Sequence, residues 1–357
     1  MRFIIGLTAV LMSLVTVGIH AEPVAALYQV REELVSQASD VRDAGLQQAF
    51  ITMVQRLTGR ADAAQSAQLA EYLADPQPLI SHYGYDGNTL LVNFDSYTVQ
   101  SALRAAELPM WGSNRPAVLT WWQVAGLHDV QLLSDGQANT QVLHNAAQYY
   151  AVPARFPLGD LTEQLLISAD AFTAHQDIRA SAERYNADVV VIVQQDSATE
   201  LQTAQWQLWV GDERQEGQVR AQTQEALARE VFSQVNQHLA QRYAVKPGAG
   251  EVFDVRVAGV DLERFVLLER LLEPFSAQLR EVTQDYAQWQ LRSNPQQVRS
   301  QLGLANLQEK PLPAAAVTQV ALEDGLSTVF PTETGIGPVT QQPSTADVNT
   351  QILYFTW

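Results

Sequence analysis

The first part of the chain combines one strongly amphipathic helix with shorter strand-like segments. A helix is predicted over residues 41–58, with Asp40 at its N-cap, Gly59 after its end and an apolar face made of Val41, Leu46, Phe50, Val54 and Leu57. Further helices are predicted over 62–74 and 96–108, and strands within 25–35 and over 89–94. Residues 22–107 are therefore expected to form a small α+β domain.

A run of β-branched residues marks the centre of the next region. Ala187–Val193 is nearly continuous in valine and isoleucine, which is typical of a central strand covered on both faces. Around it the pattern predicts helices over 137–150, 174–185 and 223–243, and strands over 117–124, 130–133, 151–156, 206–210 and 216–221. Residues 108–246 are expected to form a mixed α/β domain.

A third region follows the linker-like stretch Lys-Pro-Gly-Ala-Gly at 246–250. Its pattern predicts the order strand, helix, strand, strand, helix over 252–257, 262–272, 278–282, 286–291 and 295–302. This order lacks only the last strand of a ferredoxin-like βαββαβ unit. The domain is expected to comprise residues 251–305 together with 350–357, separated by a flexible low-complexity insert over 308–349 that is rich in Pro, Thr, Gly and Ala.

The last seven residues are predicted to return and supply that missing strand. Closing a loop of about 40 residues costs on the order of 3 kcal/mol. Burying Leu353, Phe355 and Trp357 on one face returns roughly 5–8 kcal/mol, so the strand is expected to dock. The predicted fold class is therefore α+β or mixed α/β, with three small α/β domains.

The N-terminal residues have the pattern of a secretory signal peptide. Arg2 supplies a positive charge, 3–19 carries none, and Ala21 offers a small residue at a cleavage point before Glu22. The run is slightly shorter than the about 20 apolar residues of a membrane-spanning helix, and no basic stop follows it. Residues 1–21 are predicted to be a signal peptide that directs the chain to the periplasm. An uncleaved anchor is the alternative, and no transmembrane span is predicted after it.

Composition excludes several classes of function. The chain has 22 Lys+Arg against 39 Asp+Glu, a net charge of −17, so a nucleic-acid partner is not expected. It contains no cysteine, which excludes thiolate catalysis, thiolate zinc sites and an N-terminal lipid anchor on cysteine. No P-loop, serine-nucleophile or zinc-protease motif occurs, and no two histidines have metal-ligand spacing. No catalytic residue, cofactor or metal is predicted.

One segment, residues 108–116 (L-P-M-W-G-S-N-R-P), is unusual for its mixture of rigid, aromatic and cationic residues. Its candidate residues are Trp111, Gly112, Asn114, Arg115 and Pro116. The guanidinium of Arg115 offers five donors in a planar fork, suited to carboxylates or carbonyl oxygens. Two interpretations are open. The segment is either a recognition loop, or a domain junction in which Trp111 fills the interface and Arg115 caps a helix end.

The same segment carries a family resemblance. Together with Q-R-L-T-G at 55–59, A-D-V-V-V-I-V-Q at 187–194 and W-Q-L-W-V at 206–210, it resembles the exported proteobacterial family called domain of unknown function 2066, over roughly residues 25–305. The resemblance marks Trp111, Gly112, Asn114, Arg115 and Pro116 as the residues to carry over and implies no activity. Residues 116–243 are also similar to periplasmic accessory domains. These are the N-terminal domain of the translocation protein TolB, the lipoprotein activators of penicillin-binding proteins and the flagellar assembly protein T, and the likeness is one of fold.

Two functions are compatible with these observations. The first is a non-enzymatic periplasmic protein that binds another, unidentified component of the cell envelope. The second is a small-ligand binder or hydrolase with a site between the first two domains near Arg115, where mixed α/β domains often place such sites. A deep cleft with Arg115, a histidine and a carboxylate would favour the second, whereas Arg115 packed under a helix end would argue against it.

Overall fold

A computed structural model of the chain describes residues 22–23, 26–126, 129–167, 170–196, 201–246, 250–275, 277–312 and 351–357. The predicted signal peptide and all but the first residues of the predicted low-complexity insert lie outside this part of the chain. Helices and mixed β-sheets alternate through it, so the predicted α+β class is confirmed. Among the described helices, none combines the length and the hydropathy that a membrane span requires.

The first region is a three-stranded antiparallel sheet packed against one long helix. Its elements are β1 (Glu22–Pro23), β2 (Gln29–Glu33), α1 (Ser39–Thr58), α2 (Ala70–Ala74), β3 (Ile80–Asp86), β4 (Thr89–Phe94) and α3 (Ser96–Ala105). The sheet order is β2-β4-β3, and α1 buries Leu46, Phe50 and Val54 against it. The predicted apolar face of this helix is therefore the face that forms the core.

Three details of the first region differ from the sequence prediction. Helix α1 begins after Ala38, so Asp40 lies in its first turn and is not the N-cap. The helix predicted over 62–74 is interrupted at Ser66, whose backbone is extended, and becomes two 3₁₀ turns before α2. Strand β3 was not predicted because it is an edge strand without a fully buried residue, and it therefore lacks the apolar alternation of a half-buried strand.

Gly59, the residue that follows the end of α1, is closely approached by the helix over Gln224–Tyr243. Its φ of 71° lies in the left-handed region, and an added Cβ would overlap the Cβ of Ala240. Gly59→Ala is expected to lower the free energy of unfolding by about 2–4 kcal/mol, the sum of backbone strain and overpacking. Gly136→Ala is the matched control, because Gly136 has a φ of 78° and open space around it. If urea unfolding shows that both variants lose the same free energy of unfolding, this explanation is contradicted.

The middle region is a larger mixed sheet with helices on both faces. Its elements are β5 (Asn114–Arg115), β6 (Val118–Ala125), β7 (Val130–Leu133), α4 (Gln141–Tyr149), β8 (Ala154–Arg155), α5 (Leu161–Gln164), α6 (His175–Ala180), β9 (Val189–Asp196), β10 (Gln202–Val210), β11 (Glu213–Ala221) and α7 (Gln224–Tyr243). The order is β11-β10-β9-β6-β7, with β8 beside β6. Strands β6 and β9 are parallel, and β5 pairs with β1.

Strand β9 has the central, doubly covered position that its composition predicts. Val189, Val191 and Val193 face one core, which α4 and α7 complete. Val190 and Ile192 face a second core on the opposite side of the sheet, which includes Ile178 of α6.

The third region is a five-stranded sheet with two helices. Its elements are β12 (Glu251–Ala258), α8 (Leu262–Leu272), β13 (Gln278–Val282), β14 (Tyr286–Ser293), α9 (Pro295–Gly303), β15 (Gln308–Lys310) and β16 (Gln351–Thr356). The order is β13-β14-β12-β16-β15. As predicted, the terminal heptapeptide adds a strand to this sheet. Leu353 and Phe355 of β16 lie opposite Val255 and Val257 of β12, and all four are buried.

The direction of β16 differs from the ferredoxin-like prediction. In a βαββαβ unit the last strand follows the second helix and runs antiparallel to the first strand, because each helix crossover joins two parallel strands. Here β16 runs parallel to β12. The strand that follows α9 is β15, which has the expected direction but lies one place further out. The C-terminal strand is thus inserted between β12 and β15 and is not the fourth strand of a regular unit.

Candidate functional site

The segment 110–116 lies where the first and middle regions meet. Met110 forms an isolated antiparallel bridge with Val245, and the amide of Trp111 donates to the carbonyl of Leu57 at 2.6 Å. The indole of Trp111 is fully buried and stacks on Tyr243, with 6.0 Å between ring centroids. Backbone and side chain of this short segment therefore join the end of α1 to the end of α7.

Arg115 is at the centre of this junction and has no exposed surface. Its guanidinium lies 4.0 Å from the centroid of the Trp111 ring. Its donors are directed at protein oxygens only: the carbonyls of Arg56 (2.7 Å), Ala151 (3.1 Å), Gly112 (3.2 Å), Trp111 (3.3 Å) and Tyr150 (3.4 Å), and Oδ1 of Asn236 (3.3 Å). None of these donors is directed at a ligand site.

A second buried arginine completes the same arrangement. Arg56 donates to the carbonyls of Tyr149 at 2.5 Å, Gln29 at 2.6 Å and Gln148 at 3.2 Å. The last carbonyls of a helix lack intrahelical partners and carry the negative end of its dipole. Arg56 and Arg115 together therefore cap the C-terminal end of α4, and Arg115 also binds the last turn of α1.

Burial makes both guanidinium groups costly to keep charged. Loss of solvation lowers the pKa of Arg115 to about 9, and the neighbouring charge of Arg56 contributes to the decrease. Burial likewise lowers the pKa of Arg56 to about 10. What offsets this cost for Arg115 is the set of carbonyl and amide oxygens around it, so the group acts as a structural cation between three helices.

The other residues of the segment link it to the third region. Nδ2 of Asn114 donates to Oε1 of Gln301 in α9 at 3.4 Å. A Cβ at Gly112 would lie 3.1 Å from Cγ of Pro274, which follows α8. Pro116 is buried two residues before the start of β6. The segment thus contacts all three regions of the described chain.

Two functional members of this junction were missed at the sequence level. Arg56 lies on the buried side of the predicted helix over 41–58, and Asn236 lies among the apolar residues of α7. Asn236 accepts from Arg115 and donates to the carbonyl of Gln55 at 3.1 Å. The signal in the sequence was a polar residue beside the apolar face of a helix. This pattern indicates that the side chain is buried, but it does not indicate which group the side chain bonds.

A cleft of about 680 Å³ opens beside this junction, between the outer face of β2 and helix α4. This volume is within the range of small-molecule sites, about 300–1,000 Å³. Its charged and polar lining includes Arg31, Glu33, Arg56, His144, Gln148 and Arg229. Arg115 is not part of the lining, so the predicted site near Arg115 does not include that residue.

The charges of the cleft are partly neutralised at its rim. Arg31 pairs with Asp86 at 3.1 Å, and His144 lies 3.2 Å from Asp135. Arg229 pairs with Glu225 at 3.0 Å and lies 4.4 Å from the centroid of the Tyr149 ring. Among the described residues, no group of three histidines or carboxylates could hold a metal ion.

A buried carboxyl lies behind the wall of the cleft. Glu32 accepts from the hydroxyls of Thr52 and Tyr149, each at 2.9 Å. Burial raises the pKa of Glu32 above its ordinary value of 4.5, although these two hydrogen bonds, Arg229 and Arg56 oppose the increase. Burial also raises the pKa of Tyr149 to about 12, so Tyr149 remains the donor.

The Glu32 carboxyl should make stability depend on pH. Because its pKa is higher in the folded chain than in the unfolded chain, the folded state binds the proton more tightly. This contribution is fully present below the unfolded pKa and is lost as the pH rises through the folded pKa. Glu32→Gln, which stays neutral, should therefore gain stability relative to the wild type between pH 4.5 and 7.5. Urea unfolding of both proteins across this range measures the difference, and a constant difference would contradict the assignment.

The third region carries a concentration of exposed apolar side chains. Five of the thirteen large hydrophobic residues exposed in the described chain lie within residues 262–282: Leu262, Val266, Leu267, Leu279 and Val282. Leu279 pairs with Trp289 and Val282 with Ala287, and both partners are buried in the core. Leu279 and Val282 therefore point to the side of the sheet that α8 covers. We call these five residues the α8–β13 surface.

Comparison with known proteins gives one match. Residues 21–112 match the sequence model of a family described as Domain of unknown function (DUF8605). This segment comprises the first region and the junction as far as Gly112. No curated protein and no solved structure matches the chain significantly. The resemblances to domain of unknown function 2066 and to the periplasmic accessory domains stay predictions.

Proposed function

We propose that this protein is an exported, non-enzymatic interaction module that binds another protein of the cell envelope through the α8–β13 surface. The observation that carries the proposal is that five exposed leucine and valine side chains lie on one helix and on the edge strand of the sheet that this helix covers. Exposed apolar patches are characteristic of protein–protein contacts, because they gain from removal from water.

The geometry of α8 supports a binding role for its outer face. Leu268, Leu271 and Leu272 are buried and already anchor the helix to the sheet. Leu262 is 81% exposed and Val266 is 46% exposed, and their i, i+4 spacing places them side by side on the opposite face. These two side chains are not needed to attach α8 to the sheet, so they are available to a partner.

The junction around Arg115 also supports a binding surface elsewhere on the protein. Its donors are directed at protein oxygens, and the ring of Trp111 is buried within the protein. The segment that the sequence singles out is therefore a connector of three regions. A partner has to be recognised elsewhere.

Site-specific photocrosslinking in cells that express the full precursor tests the proposal. A photoreactive residue at Val266 should give a discrete adduct with one envelope protein, identified by mass spectrometry. The same residue at Ala44, an exposed position on α1, is the matched control. Leu262→Ser combined with Leu279→Ser should reduce the Val266 adduct at least fivefold. An adduct equally strong at Ala44, or unaffected by the two substitutions, would refute the proposal.

Export is a separate part of the proposal and rests on the charged, apolar and small-residue order of residues 1–21. Cell fractionation should recover a chain that begins near Glu22 from the periplasm. Recovery of the intact precursor from the cytosol would refute it.

The cleft beside α4 favours a second candidate, a binder of a small polar ligand. It brings together His144, the carboxylate of Glu33 and the guanidinium groups of Arg31 and Arg229, which suit a polar ligand. Native mass spectrometry of the purified protein should then detect a co-purifying small molecule that Arg229→Ala removes. An unliganded mass for the wild type, with no ligand gained from a periplasmic extract, would exclude this candidate.

A further inference from the structure

Strand β11 is an unusually regular free edge. It ends the sheet of the middle region and pairs with β10 along all nine of its residues without a register shift. Of the other edge strands, β3 and β13 carry register shifts in their ladders, and β2, β7 and β15 have only five, four and three residues. Bulges and short lengths are the usual protection of sheet edges against pairing with another chain. Strand β11 has neither protection.

The sequence of β11, ERQEGQVRA, contains no proline and no lysine, the two residue types that most often block such an edge. Gly217 lies against the indole of Trp206, where an added Cβ would come within 2.6 Å of the ring. At this position the strand therefore packs closely against the side chain of its neighbour. Val219 is buried towards the core of the middle region, and Glu216, Gln218 and Arg220 point to the opposite side.

We propose that two copies of this chain associate through antiparallel pairing of their β11 strands about a two-fold axis at Gln218. A two-fold axis perpendicular to the sheet makes the contact self-complementary and extends both sheets into one. In this register Glu216 lies opposite Arg220 of the second copy, and the reverse pair forms on the other side of the axis. Gln218 lies opposite Gln218, where two side-chain amides can exchange hydrogen bonds.

Charge favours this register over the neighbouring ones. An axis at Val219 would place Arg220 opposite Gln218 and Glu216 opposite Gln222, so neither charge would form a cross-strand ion pair. An axis at Gly217 would place Arg214 opposite Arg220, and an axis at Glu216 would place Glu216 opposite itself. Both put like charges in direct cross-strand contact, which is unfavourable. Within the described part of the chain Arg220 has no carboxylate partner, and Glu216 is engaged only by an exposed pair with Arg214 at 3.5 Å. Both groups can therefore pair across the axis at little cost.

The absence of cysteine from the chain allows a direct test of the axis. In an antiparallel pair, opposed residues have Cα atoms about 4.5–5.5 Å apart, within the range of a disulfide. Gln218→Cys should therefore form a disulfide-linked dimer in a glutathione redox buffer. Arg214→Cys is the matched control, since it is also exposed on β11 but its two copies would lie about 26 Å apart. Equal crosslinking of both variants, or none for Gln218→Cys at about 100 μM protein, would overturn the proposal.

Exchanging the charges of Glu216 and Arg220 distinguishes a loss of strand pairing from damage to the fold. Arg220→Glu should weaken the dimer at least tenfold in sedimentation equilibrium, because it places two carboxylates in opposition. Glu216→Arg combined with Arg220→Glu should restore the wild-type dissociation constant. A double variant as weak as the single one, or a wild type that is monomeric at about 200 μM, would refute the proposal. This edge is remote in sequence from the α8–β13 surface, and either proposal can fail without the other.

Discussion

Arg115→Ala should lower the free energy of unfolding by about 3–5 kcal/mol. The side chain is fully buried, and its removal leaves the carbonyls of Arg56 and Ala151 without their donor at the ends of two helices. It also removes the contact between its guanidinium and the ring of Trp111. The loss arises from buried polar groups that are left without partners, since water cannot readily replace the guanidinium.

Urea unfolding followed by fluorescence measures this loss, since the Trp111 indole lies in the same junction. Arg31→Ala is the matched control, because Arg31 is exposed and has one surface ion pair with Asp86. It should cost less than about 1 kcal/mol. Arg115→Lys should recover only a small part of the loss, because an ammonium group cannot reach acceptors on several sides. A loss below about 1 kcal/mol for Arg115→Ala would show that the junction does not depend on this side chain.

Removal of residues 351–357 should unfold the third region while the first two regions stay folded. Strand β16 pairs on one side with β12 and on the other with β15, so its loss exposes one edge of β12 and leaves β15 without a neighbour. Phe355→Ala alone is expected to cost about 3–5 kcal/mol, since its side chain is 1% exposed in the core of this region.

Hydrogen exchange of the full-length protein and the truncated chain locates the effect. Amides of β12 and β14 should lose protection in the truncated chain, whereas those of β9 should not change. Tyr354→Ala is the control for Phe355→Ala, because Tyr354 lies on the opposite face of the same strand and is only half-buried. Unchanged protection of β12 after truncation would mean that the inserted strand adds little to the sheet.

Elements with a complete apolar pattern were predicted well. The helices α1 and α7 and the strand β9 bury the residues that their spacing indicated, except for Val41 of α1, which is only half-buried. Elements whose form depends on neighbours were predicted poorly. The edge strand β3 carries no buried stripe, and the helix predicted over 62–74 is broken by an extended Ser66.

The candidate site was likewise predicted only as far as local sequence could indicate it. The sequence drew attention to Trp111 to Pro116 and left two roles open for Arg115, because a guanidinium fork suits a ligand and a carbonyl cage equally well. Its acceptors come from α1, α4 and α7, which are distant in sequence. Neither Arg56 nor the cleft beside α4 could be placed before these helices were brought together.

The sequence by itself determined the class of the fold, the central position of β9 and the return of the last seven residues to the third sheet. These follow from local periodicity and from apolar surface that has to leave water. Only the tertiary structure decided that β16 runs parallel to β12, that Arg115 caps helix ends and that a regular edge is left at β11. Strand direction, capping partners and free edges depend on contacts between distant segments, which hydrophobic spacing along one segment does not specify.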